Sequence, residues 1–223
     1  VLIIDDASPD GTGQLADRIA AENPRIRVHH RAGKLGLGTA YLDGFRMGLA
    51  DGYDLLFEMD ADFSHDPAHL PQFLAAAEDF DVVLGSRYLH GRVTVVNWPI
   101  GRVLISYFAS SYVRTITSMP IKDTTAGFVC YKRKVLETIP WDDIKFIGYA
   151  FQIEMKFLAW KYGFSLKEVP IIFTDRTRGE SKMSAGIFKE AFFGVLNMTI
   201  NSWFKKYIPA TTYKESPKLR EAV

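Results

Sequence analysis

Short aliphatic runs alternate with stretches of helical period along most of this chain. Val1 to Ile4 is an unbroken apolar run of strand length, Leu15 and Ile19 follow at helical spacing, and Ile26 to Val28 is a second short run. Leu42, Phe45 and Leu49 then fall on one helical face. Leu55 to Met59 reads as a strand, Pro71 to Ala77 as a helix and Val82 to Leu84 as a strand. Beyond Tyr88 the pattern predicts a Gly-containing loop, a helix around Val103 to Ile116, a strand near Phe128 to Tyr131, a helix from Phe151 to Trp160 and a strand at Val169 to Phe173. This alternation predicts an α/β fold with a mostly parallel central sheet flanked by helices, in which ligands bind beyond the carboxyl ends of the strands.

The 223 residues, 48% of them hydrophobic, suffice for one large core. A net charge of +1, from 27 basic and 26 acidic residues, offers no overall field for nucleic acid, so anion recognition has to be local. Cys130 lies in an apolar stretch and reads as a buried strand residue, which fits a reducing compartment. The uncharged stretch Ala191 to Phe204 is shorter than the about 20 apolar residues a spanning helix needs. Lys189, Lys205 and Lys206 with Trp203 and Tyr207 make it an interfacial helix or, equally, a packing helix. The expected organisation is an α/β domain over 1–184, that helix over 185–209 and a mobile polar tail over 210–223. Val1 already stands inside an apolar run, so the domain is expected to begin before it.

Candidate chemistry collects at the predicted strand ends. Asp60 and Asp62 follow the apolar run Leu55 to Phe57, where two carboxylates repel unless a cation or several donors compensate them; Mg²⁺ or Mn²⁺ is the economical answer, although caps and turns also use Asp. Asp5 and Asp6 close the first strand, with Asp10 and Thr12 reading as turn and cap residues. Lys34 to Ala40 is glycine-rich but matches neither phosphate-binding fingerprint, because Tyr41 stands where a third glycine is required. Arg87 follows the strand Val82 to Leu84 and points toward phosphate binding, and Arg176, Arg178 and Lys182 lie in a polar segment that could close on a diphosphate. Simple solvation is the competing reading for each of these cations.

In order and spacing, Asp5 to Thr12, Lys34 to Tyr41, Met59 to Pro67, Gly85 to Tyr88, Gly148 to Met155, Glu168 to Ile171 and Asp175 to Lys182 resemble the catalytic domain of family-2 inverting glycosyltransferases of the polyprenol (dolichol) phosphate mannose synthase type. The resemblance implies a GT-A type nucleotide-diphospho-sugar transferase fold. It also implies transfer of mannose from GDP-mannose to a polyprenyl phosphate, at the cytoplasmic face of a membrane that the protein touches peripherally. By position, Ile4 and Asp6 would contact the nucleoside, Asp60, Ala61 and Asp62 the nucleotide sugar, and Arg87, Arg176 and Lys182 the phosphates. Asp60 and Asp62 would hold Mg²⁺ or Mn²⁺, Arg102 and Ser106 the acceptor phosphate, and Asp62, Arg176 and Lys182 would act in catalysis.

The chain departs from the family pattern in three places. Ser64 stands where some relatives have a metal-binding Gln, and Gly91-Arg92 replaces the usual Gly-Gly. The family's opening strand and Pro-x-Tyr-Asn-Glu segment are absent, so the sheet is expected to lack a central member. The alternatives are a related transferase using UDP-glucose or a hydroxyl acceptor, with Glu154 as its base, or a non-catalytic nucleotide-binding protein of the same fold.

Overall fold

The structure, a computed structural model, describes residues 1–175 and 185–208, and of residues 185–190 the backbone only. Strand β1 (Leu2–Asp5) runs into helix α1 (Thr12–Glu22) through Gly11, whose φ of 86° is open to a residue without Cβ. Strand β2 (Arg27–His30) returns parallel to β1 in the register Ile3↔Val28. Helix α2 (Leu37–Ala50) then leads to β3 (Leu55–Glu58). A 3₁₀ turn at Pro67–His69 and helix α3 (Leu70–Asp79) come before β4 (Val82–Ser86).

The second half adds the short strand β5 (Val95–Val96), the long helix α4 (Ile100–Thr117) and strand β6 (Val129–Lys132). Helix α5 (Arg133–Thr138), helix α6 (Ala150–Lys161), strands β7 (Leu166–Pro170) and β8 (Phe173–Thr174) and helix α7 (Ala185–Trp203) complete the order. The strand expected at Val169 to Phe173 is thus two: β7 starts earlier and ends at Pro170, and β8 pairs elsewhere, with β5. Pro170 has no N–H to continue a ladder, which suits the end of a strand.

Four strands form one sheet in the order β3-β6-β4-β7, and β1-β2 form another. The strand β6 lies antiparallel between β3 and β4, while β4-β7, β1-β2 and β5-β8 are parallel. The α/β architecture is therefore as the alternation predicts, with β6 as the antiparallel insertion. Among the described residues β1 and β3 each keep one edge without a strand partner. Helix α2 spans both sheets: Gly44 faces Ile4, and a Cβ at Gly48 would stand 2.4 Å from Leu56 Cδ2.

The main core lies between the four-stranded sheet and helices α2, α4 and α6, with Phe45, Tyr131, Phe151 and Phe157 at its centre. A smaller core of Phe73, Val83, Phe128 and Cys130 fills the other face under α3. Cys130 is buried as expected, and desolvation pushes its thiol up to about 12. Helix α7 joins the main core through Val195 and meets Phe146 so closely at Gly194 that a Cβ there would clash at 2.4 Å.

Candidate functional site

The end of β3 delivers the acidic pair. After Glu58 the chain leaves the sheet as an irregular loop in which Phe63 takes φ 64°, a left-handed conformation that costs a bulky residue about 1–3 kcal/mol. Local bonds hold this loop. The Ser64 backbone N–H and hydroxyl both donate to Asp62 Oδ1, at 3.1 and 2.5 Å. The Asp60 N–H donates to His65 Nδ1 at 3.2 Å, and the buried His65 ring lies against Phe128 and Phe173 with centroids 5.2 and 5.4 Å apart. Burial holds this imidazole below its usual range, so it is neutral with its proton on Nε2.

Tyr41 reaches across from α2 and donates its hydroxyl to Asp60 Oδ1 at 3.1 Å. Burial, reinforced by the Asp60 charge, raises the phenol well above its ordinary value, which keeps it a donor. Asp60 and Asp62 are half-buried and present oxygen only. Among the described residues no group of three or more His, Cys, Asp or Glu side chains is assembled to hold a metal. Two carboxylates without a full protein cage suit a hard divalent ion whose shell is completed by phosphates and water, so the residues present fit Mg²⁺ or Mn²⁺. Ala61 is exposed between them.

The end of β1 is organised differently. Asp6 Oδ1 accepts from Arg31 Nη1 at 2.6 Å and from the Leu35 N–H at 3.3 Å, and Oδ2 accepts from the Gly36 N–H at 3.3 Å. Arg31, buried just beyond β2, also donates from Nε to Asp43 at 2.9 Å and from Nη2 to Thr39 at 2.8 Å. Asp6 therefore fixes the glycine-rich segment, and Arg31 neutralises it. Ile4 turns its side chain onto α2 at Gly44. Asp5 accepts from the Ser8 N–H at 3.1 Å and meets His30 Nδ1 at 3.1 Å, while His30 Nε2 meets Asp17 at 2.9 Å.

Arg87 does follow β4, yet its guanidinium is committed. Nε and Nη2 donate to Asp123 at 2.7 and 2.6 Å, Nη2 also reaches Thr125 at 2.8 Å, and the Arg87 backbone N–H donates to the same carboxylate at 3.0 Å. Tyr88, Trp98 and Phe173 surround the cation at 5.3 to 5.5 Å. Although burial works against the Asp123 carboxylate, the Arg87 charge and bonds hold it below its usual range. The expectation that Arg87 binds phosphate thus meets a side chain already serving as the buried clamp of the loop that enters β6.

Arg102 and Ser106 stand one turn apart on α4, as their spacing requires. Arg102 stacks on Trp98 at 4.3 Å and donates from Nη1 to both Asp175 oxygens at 2.8 Å. The Ser106 hydroxyl accepts from Tyr88 at 2.7 Å. Arg176 and Lys182 lie outside the described residues. Glu154, the base that a hydroxyl acceptor would require, accepts the Lys145 and Phe146 N–H groups on Oε2, both at 2.9 Å. Those bonds hold the turn that packs on the glycine-rich segment, where the Gly38 N–H donates to the Ile147 carbonyl at 2.8 Å.

Residues 1–139 match the model of glycosyl transferase family 2. The chain belongs to that family. It is 49% identical over 199 residues to undecaprenyl-phosphate mannosyltransferase of Micrococcus luteus, covering 89% of this chain and 80% of that protein. It is 48% identical over 197 residues to polyprenol monophosphomannose synthase of Mycolicibacterium smegmatis, covering 87% and 74%. Among solved structures it is similar to glucosyl-3-phosphoglycerate synthase of Mycobacterium tuberculosis in complex with Mn²⁺, UDP-glucose and phosphoglyceric acid. That match has TM-score 0.60 and 16% identity, and covers 94% of this chain and 70% of that one. The fold is of the GT-A type.

Within this family-2 domain Arg31, Asp123 and Lys156 carry no signature in the sequence, and Tyr41 shows there only as the residue that spoils a glycine fingerprint. No local pattern marks them. Each acts on a partner 12 or more positions away, Arg31 on Asp43 and Asp6, Tyr41 on Asp60, Asp123 on Arg87 and Lys156 on Ala126.

Proposed function

We propose that this family-2 glycosyltransferase moves a mannosyl residue from GDP-mannose to the phosphate of a polyprenyl lipid, with inversion. The observation that carries the reading is the likeness, over most of the chain, to two bacterial proteins named for mannosyl transfer to polyprenyl phosphates. It is supported by an acidic pair after β3, suited through a divalent ion to a donor diphosphate, and an Arg–Ser pair on α4, suited to an acceptor phosphate. The two are linked where the Thr174 N–H donates to the Ser64 carbonyl at 3.3 Å and the next residue, Asp175, holds Arg102.

In this reading Asp60 and Asp62 hold the divalent ion, Mg²⁺ or Mn²⁺, which when bound offsets charge on the leaving diphosphate. Tyr41 and Ser64 orient the two carboxylates, and Asp6 and Arg31 set the glycine-rich segment beside the nucleoside. Arg176 and Lys182 bind the donor phosphates, and Arg102 and Ser106 bind the acceptor phosphate. A phosphate monoester has its second pKa near 6 and is largely dianionic at neutral pH, so it attacks the anomeric carbon without a general base. Glu154 is accordingly free to serve the backbone.

Peripheral membrane contact belongs to the same reading. Helix α4, which carries Arg102 and Ser106, exposes Ile100, Leu104, Ile105 and Phe108, and α7 exposes Phe193, Ile200 and Trp203. The helices pack together, with Tyr112 stacked on Phe192 at 4.4 Å. Among the described residues no helix is long and apolar enough to cross a membrane. An apolar face of this kind suits an interface between water and lipid.

The test is to incubate the full-length protein with polyprenyl phosphate and a panel of radiolabelled nucleotide sugars, then measure which label enters the organic phase. Label from GDP-mannose alone is expected. Label from UDP-glucose, or none from any donor, would overturn the reading. Flotation with anionic phospholipid vesicles tests the membrane contact: Phe108→Ser with Trp203→Ser should abolish flotation, and unchanged flotation would remove these helices from the membrane.

A further inference from the structure

Beneath the acidic loop lies a buried polar cluster that the reaction outlined above does not use. Glu58, Gln152 and Lys156 are buried, Glu58 and Lys156 completely, and Tyr131 places its hydroxyl in the same space. The Tyr131 hydroxyl and the Gln152 amide both face the Glu58 carboxyl, so the cluster is polar throughout and closed to solvent. Burying an ammonium is expensive, and an apolar side chain would fill the same volume at less cost. Desolvation holds the Lys156 ammonium below its usual range, against the attraction of Glu58 and Asp123, and pushes the Glu58 carboxyl above its own.

What distinguishes Lys156 is the bond it makes. Its Nζ donates to the carbonyl of Ala126, in the loop that runs from Asp123 into β6. One end of this loop is fixed by Glu168, which accepts the Lys122 and Asp123 N–H groups at 2.9 Å each, and by the Arg87 clamp on Asp123. The other end passes the acidic pair, because a Cβ on Gly127 would stand 3.8 Å from both Asp60 Oδ2 and His65 Cε1. The Ala126 carbonyl therefore lies between the Arg87 clamp and the wall behind Asp60.

We propose that Lys156 is a positioning residue for sugar transfer: by holding the Ala126 carbonyl it sets the Asp123–Gly127 loop against Asp60 and His65, and so fixes where the donor diphosphate is held. The inference rests on the transferase reading for its kinetic consequence. Its structural content, that Lys156 orders the loop, stands apart from that reading.

The experiment compares Lys156→Met with the double variant Glu58→Gln/Lys156→Met in the full-length protein. The double variant also removes the buried acid that loses its partner in the single change, and it carries the test where the single variant folds poorly. The expected kcat loss is about 10- to 100-fold in both, as for a displaced reacting group, with KM for donor and acceptor changed far less. The double variant should recover the Tm lost by the single one without recovering kcat. Recovery of kcat together with Tm would mean that Lys156 only compensates Glu58, and would overturn the proposal. Amide hydrogen exchange read without any substrate should be faster across residues 124–128 in both variants, and unchanged exchange there would overturn it as well. If the wild-type protein transfers no sugar, the transferase reading fails, and the exchange measurement still decides whether Lys156 orders the loop.

Discussion

Arg102 and Asp175 form a fork in which a single guanidinium nitrogen, Nη1, donates to both carboxylate oxygens at 2.8 Å while the cation stacks on Trp98. The arginine proposed to bind the acceptor phosphate is therefore already held by a carboxylate, and a lipid phosphate has to compete with Asp175 for it. Arg102→Ala should raise KM for polyprenyl phosphate by about tenfold or more and leave KM for the donor nearly unchanged, since a charge-assisted bond is worth roughly 1.5–3 kcal/mol. Asp175→Asn, which weakens the competitor, should lower the acceptor KM. Equal effects on donor and acceptor would return the pair to a structural role.

Asp62→Asn tests the metal assignment with little risk to the fold. An Asn oxygen can still accept from the Ser64 N–H and hydroxyl, so the loop keeps its local bonds while the site loses one ligand charge. Transfer should drop beyond the roughly 10- to 100-fold typical of losing an outer partner of a metal site, and Mn²⁺ affinity should fall in parallel. Full turnover at saturating Mg²⁺ would defeat the assignment.

Glu154 separates phosphate from hydroxyl acceptors. Burial raises its carboxyl above the usual range, but the Lys145 and Phe146 N–H groups claim one of its oxygens. Glu154→Gln retains an acceptor for those donors and should change the single-turnover rate by no more than a few-fold. The fall in rate as pH drops through about 6 should persist, because it belongs to the acceptor phosphate. A loss of about a hundredfold with normal donor affinity would make Glu154 the base.

His30 gives the fold a pH dependence of definite sign. Hydrogen bonds that it donates to Asp17 and then to Asp5 hold its imidazole above the ordinary value of 6.5. The stability this contributes is fully present below the unfolded value, and it is lost as pH rises through the higher folded value. Urea titrations of wild type and His30→Ala should therefore differ most below the ordinary imidazole value of about 6.5, with the difference shrinking as pH rises above it. A difference that grows with pH would reverse the assignment. The opposite limb belongs to Asp5, whose carboxyl is held low by Ser8 and His30 and whose contribution disappears in acid, below its own folded value.

Periodicity and composition determined the α/β class, the placing of most strands and helices and the acids at strand ends, because those depend on neighbours a few positions apart in the chain. The ordered motifs also carried the family, since each is a short run whose identity survives without knowledge of its contacts. The tertiary structure decided what local pattern does not encode. Strand β6 reads like any apolar run, and only its partners make it the antiparallel member between β3 and β4. Arg87 follows its strand as a phosphate ligand would, but Asp123, 36 positions on, takes its guanidinium. Asp6 closes its strand where a nucleoside ligand would stand, and only the fold brings Arg31, 25 positions away, into an ion pair with it. A buried charge is given its role by whichever opposite charge or donor the fold brings within about 3 Å, and sequence spacing carries no record of that distance.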